Sequence, residues 1–141
     1  MTPENQAKKD YLSRYRWGKV RLQEIEQEIT QCRLEALPGA ITYDAMPHGS
    51  GCESDLSDYA AKLDDLIMEF RRQRDETLQS LKEIVEAIEA IEDPRYSILL
   101  RYRYIQLKSW RFIADTMGYS ETRIRHLHGS ALEIFMIPEA K

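Results

Sequence analysis

The sequence predicts an all-α protein: a long antiparallel helical hairpin, coiled-coil-like, followed by a C-terminal three-helix helix-turn-helix domain. Two long stripes of apolar residues, stepping by four and three, predict the hairpin. One break rich in proline and glycine separates the stripes. Three short segments bounded by capping residues predict the rest. The expected domains are 1–93 and 94–141.

The first helix is expected over about 4–36. Tyr11, Tyr15, Gly18, Leu22, Ile25, Ile29, Cys32 and Ala36 share one face. Pro38 and Gly39 end it, and residues 37–53, "LPGAITYDAMPHGSGCE", read as a loop. Ser54 offers an N-cap to a second helix over about 54–92, with Asp55 and Asp58 favoured by the helix dipole. Its stripe runs from Leu56 through Ala60, Leu63, Ile67 and Phe70 to Leu81, Ile84, Ile88 and Ile91. Arg74 and Thr77 interrupt it, while Leu66, Leu78 and Val85 widen it. Asp93–Pro94 stops the helix. At ~1.5 Å per residue the two helices span roughly 50 and 60 Å and should pair antiparallel. The widened stripe predicts a second contact, with a partner chain or with the C-terminal piece. A purely structural coiled coil is the plainer alternative.

The C-terminal piece divides into helices over about 95–106, 110–117 and 121–136. Tyr96, Leu99, Leu100, Tyr102 and Ile105 are the expected core of the first. Ser109 and Ser120 cap the second and third, Gly118 supplies a left-handed turn, and Pro138 follows the end. Some 43 residues make a small core, so this piece is expected to lean on the hairpin.

Net charge is −4, but it is unevenly spread. Residues 1–23 carry +4, residues 24–94 carry −12, and residues 95–137 carry +4. Local patches, not the whole-chain balance, decide nucleic-acid binding. Antiparallel pairing brings "YLSRYRWGKVR" (11–21) near residues 90–95, so the two basic segments can share a surface. Arg14, Arg16, Lys19, Arg101, Arg103, Lys108 and Arg111 are its candidates. Otherwise Tyr11, Tyr15 and Trp17 are core and the cations only solvate the opposite face.

The last two helices meet the steric demands of a helix-turn-helix. Ile113 and Met117 face inward, Ala114 is small at the crossing, and Ile124 and Leu127 return the last helix to the core. That leaves Glu121, Thr122, Arg123, Arg125, His126, Gly129 and Ser130 outside. Arginine grips guanine or phosphate through two donors, and hydroxyls bond either phosphates or bases.

The stretch "LLRYRYIQLKSWRFIADTMGYSETRIRHLHGSAL" (99–132) resembles region 4 of the sigma-70 family, which binds the promoter −35 element. The blocks "RYRYI", "SWRFIA" and "GYSETRIRHLHGSAL" carry the resemblance. It implies that Glu121, Thr122, Arg123, Arg125, His126 and Ser130 contact DNA. His126 and Ser130 are shorter or weaker than the polar residues usual in primary sigma factors, and no other sigma region is recognisable. With its long helices and "MPHGSG" loop, the whole chain resembles small phage and prophage late-transcription regulators of the RinA/ArpU-like type. The resemblance implies a DNA-binding transcriptional regulator acting with RNA polymerase in a bacterial host.

A single small headpiece binds DNA weakly, roughly 10⁻⁴–10⁻⁶ M when non-specific. A homodimer through the hairpin is therefore expected. The rival readings are a small terminase-like DNA-packaging protein, which would form rings, and a protein-interaction module without DNA. No enzyme is expected: there is no phosphate-cradling glycine loop and no Cys–His spacing suited to catalysis. No cofactor or metal is expected either. His126 and His128 lie two apart and diverge on a helix, and His48 and Cys52 lack further ligands. Cys32 reads as core and Cys52 as loop, with no disulfide framework. No apolar run reaches the ~18 residues of a membrane span, and "MTPENQAKKDYL" is unlike a signal peptide. The expected location is the cytoplasm, in association with the nucleoid.

Overall fold

The computed structural model describes residues 2–36 and 51–139, with the backbone alone for 51–55. Every regular element among them is helical. The helices are α1 (Pro3–Leu12), α2 (Arg14–Glu35), α3 (Gly51–Glu89), α4 (Pro94–Leu100), α5 (Trp110–Met117) and α6 (Glu121–Ile134). A π-helical segment, Arg101–Ile105, follows directly on α4.

Four boundaries differ from expectation. The first helix is divided at Ser13, whose hydroxyl donates to the Lys9 carbonyl at 2.8 Å. Such a bond back to the preceding turn competes with the helical ladder and bends it. The second long helix starts at Gly51, so Ser54 lies inside it rather than capping it, and Cys52 is helical rather than in a loop. It ends at Glu89, where the Ile91 N–H turns back to the Ile88 carbonyl at 3.0 Å. The final helix stops at Ile134, because Phe135 is extended (φ −60°, ψ 136°). The rest of the expected loop, 37–50, lies outside the described residues.

The chain forms two compact units, Lys19–Glu76 and Met1–Gly18 with Thr77–Lys141. The second joins residues on both sides of the boundary expected at 93, because α1 and the last turns of α3 share its core. In the first unit Ile25 and Cys32 are buried, with Leu22, Ile29, Leu63, Ile67 and Phe70 half-buried. Arg21 pairs with both Glu24 and Glu69, fixing α2 against α3. The α3 stripe is covered only from Leu63 onward, since Leu56 and Ala60 are exposed.

In the second unit Leu12 of α1, Ile84 and Ile88 of α3, and Ile91 just past its end are buried with Leu99, Leu100 and Tyr104. Tyr11, Tyr15, Tyr96, Tyr102, Ile105 and Met117 pack around this core as half-buried residues. Leu78, expected to widen the stripe, is exposed. Asp93 caps α4 by accepting from the Arg95 N–H at 2.9 Å. The Arg95 side chain, with that N–H, holds the Asp93 carboxyl below its usual pKa.

Thr77, which interrupts the stripe in sequence, is buried opposite Gly18. A Cβ on Gly18 would sit 2.4 Å from Thr77 Oγ1. The close approach of the two helices requires glycine here. Gly18→Ala gains up to ~1 kcal/mol in helix propensity, but overpacking costs about 1–3 kcal/mol. We expect net destabilisation in urea unfolding, reversed on adding Thr77→Ala. A Gly18→Ala chain as stable as wild type would show that α3 yields freely.

Candidate nucleic-acid interface

Local chemistry sets the α5–α6 pair. Ser109 Oγ accepts from the Phe112 N–H and Ser120 Oγ from the Arg123 N–H, both at 3.1 Å. Gly118 ends α5 at φ 77°, ψ 30°, where a side chain would be strained. The N–H groups of Gly118 and Tyr119 both reach the Ala114 carbonyl, at 2.9 and 3.0 Å. Three residues thus turn α5 into α6. Ile113 and Ala114 face Ile124, Leu127, Ala131 and Leu132 in one buried layer.

The opposite face of α6 carries the predicted residues. Glu121, Thr122, Arg123, Arg125 and His126 are exposed, while Gly129 and Ser130 are half-buried. Neither Arg123 nor Arg125 pairs with a carboxylate among the described residues.

Behind this face lies a buried polar pair that periodicity alone did not reveal. His128 Nε2 and Tyr104 Oη share a hydrogen bond of 2.6 Å. Trp110 meets the imidazole edge-on at 4.8 Å between centroids. Burial pushes the His128 pKa down to about 4, helped by Lys9 and Arg103 nearby. Burial also raises the Tyr104 hydroxyl pKa above its usual value, so it stays protonated. The π segment, closed by Gln106 N–H to the Arg101 carbonyl at 2.9 Å, carries Tyr104. Leu107 then turns the chain at φ 58°, and the Lys108 N–H reaches the Tyr102 carbonyl at 2.9 Å. The readable signal was the spacing Ile124, His128, Ala131, Phe135, which puts His128 on the buried stripe.

The other basic candidates separate into two kinds. Arg14 bonds Glu83 and Ser80 at 3.0 and 3.2 Å, and Arg101 bonds Glu89 at 2.9 Å. Both are locally neutralised. Arg103 lies over the Trp110 ring at 4.2 Å and donates to the Lys108 carbonyl at 3.1 Å. Burial lowers its pKa, and the charges of Arg16 and Arg125 lower it further. Lys108 lies 4.9 Å from the Phe112 ring centre. Arg16 and Arg111 are exposed, as is Lys19 in the other unit. Trp17 is 63% exposed beside Arg16, so it is not core.

One further contact was not read from sequence. Lys8, buried in α1, donates to the Glu133 carbonyl at 3.2 Å. A cation thereby satisfies the C-terminal end of α6, where the helix dipole favours positive charge.

No protein-family model matches the chain, no curated protein matches it, and no solved structure matches it. Among the described residues no three His, Cys, Asp or Glu side chains converge as a metal site would require. His48 and the side chain of Cys52 lie outside them. No helix among the described residues is long and apolar enough to cross a membrane.

Proposed function

We propose that this chain is a DNA-binding transcriptional regulator of phage or prophage type that places α6 in the major groove. The observation that carries the reading is the polar face of α6. Five side chains able to bond phosphates or base edges stand exposed on its first two turns, on a helix held by a short turn to α5. Arg123 and Arg125 are the chief contacts, with Glu121, Thr122, His126 and Ser130 beside them. The resemblance to sigma region 4 favours promoter DNA and action alongside RNA polymerase in the bacterial cell. Weak binding by one headpiece favours a homodimer through α2 and α3, on which Leu34 and Met68 are exposed.

The test is fluorescence anisotropy with a labelled duplex from the gene neighbourhood, for wild type and the Arg123→Ala/Arg125→Ala variant. Both side chains are exposed, so the variant should fold. Its binding should weaken by ~1–3 kcal/mol for whichever arginine holds a base. Undiminished binding by a folded variant would overturn the assignment.

A further inference from the structure

Between the end of α3 and the segment after α6 lies a groove of about 1470 Å³, with Tyr11 and Arg14 also in its wall. Its apolar lining includes Ala87, Ala90, Ile134, Met136 and Ile137. The last three are 49, 79 and 40% exposed. Large apolar side chains gathered in this way mark an interaction surface, where scattered ones need no explanation. The space exceeds the roughly 300–1,000 Å³ of small-molecule sites, so a protein surface fits it better. Its carboxylates disfavour DNA. Glu83 is held by Arg14 and Asp93 by Arg95, but Glu86, Glu92 and Glu139 have no cation partner among the described residues.

A complementary feature lies one turn from the wall. Arg14 and Trp17 are three apart on α2 and share a face. The largely exposed Trp17 ring has the Arg16 guanidinium 5.8 Å from its centre. Arg16 pairs with no carboxylate among the described residues. Tryptophan and arginine are the usual anchors of protein interfaces, and they act in pockets that exclude water.

We infer that Trp17 and Arg16 of one copy of this chain dock into the groove of a second copy, which reciprocates. The indole covers the apolar lining, and the guanidinium meets the unpaired carboxylates. Patch and groove adjoin through Arg14, so one two-fold axis makes both contacts and closes the assembly as a dimer. The inference rests on the homodimer reading and supplies its contact, and it requires nothing of DNA binding.

The experiment is sedimentation equilibrium over a range of concentrations, with folding checked by circular dichroism. The chains are wild type, Trp17→Ala, Met136→Asp, an equal mixture of those two variants, and Leu34→Ala/Met68→Ala. Trp17, Met136, Leu34 and Met68 are all exposed, so each replacement spares the core. Trp17→Ala and Met136→Asp should each weaken dimerisation by about tenfold or more. Their mixture should dimerise better than either alone, because one chain keeps its groove and the other its tryptophan. Leu34→Ala/Met68→Ala should dimerise like wild type. Wild-type dimerisation by Trp17→Ala, or a mixture no better than its components, would overturn the docking and leave a homodimer through other residues standing. A monomeric wild type would overturn both and leave the groove to a different protein.

Discussion

Phe135→Ala should be the most damaging single truncation in the headpiece, costing about 3–5 kcal/mol. The residue sits past the end of α6, in extended backbone, where side chains are usually exposed. Instead its ring is fully buried, 6.1 Å from that of Tyr11 between centroids. It joins the exit of α6 to α1, and Leu12 and Leu132 are fully buried in the same core. Removing the ring leaves a cavity among residues from both ends of the chain. The neighbouring Met136 is 79% exposed, so Met136→Ala should change stability by less than about 0.5 kcal/mol. Chemical denaturation of the two variants gives the comparison. Equal, small losses would show that the segment after α6 contributes nothing to the core.

His128→Ala should cost about 1–3 kcal/mol through the orphaned Tyr104 hydroxyl alone, with lost packing against Trp110 added. The loss should also depend on pH in a definite direction. The folded chain holds His128 at about 4, against an ordinary value of 6.5. Between those values the unfolded chain binds a proton that the folded chain refuses. The wild type is therefore most favoured above pH 6.5 and loses stability as pH falls towards 4, by at most about 1.4 kcal/mol per unit. His128→Ala lacks this term. The gap between the two proteins should narrow from pH 7.5 to pH 5. A constant gap would mean that the imidazole is not held neutral by burial.

Much of the fold was legible because its signals are local. Ser109, Gly118 and Ser120 act within a turn of themselves, so the start, stop and restart of α5 and α6 could be read directly. The first stripe held as well: all eight residues of that face, from Tyr11 to Ala36, are at least half-buried, whereas the second is covered only from Leu63 onward. Exposure of Glu121, Thr122, Arg123, Arg125 and His126 followed by subtracting the buried face. What escaped depends on distant partners. Tyr104 turns inward because His128, 24 residues later, waits for its hydroxyl. Lys8 is buried where a carbonyl 125 residues away accepts its hydrogen bond. Thr77 looked like an interruption and is the surface that Gly18 was needed to meet. The division at Ser13, whose hydroxyl and N–H both bond the Lys9 carbonyl, is one that periodicity does not register.

The Lys8–Glu133 bond also sets a schedule. Ribosomes make α1 long before α6, yet these two helices complete one another and share a core with Phe135. Until the last segment emerges, Leu12 has no finished layer to enter, and α6 has no lysine at its end. Closing so long a loop costs entropy before any contact repays it, and such non-local contacts slow folding. The headpiece should therefore mature only once α6 and Phe135 have emerged, with α1 unpacked in the interval.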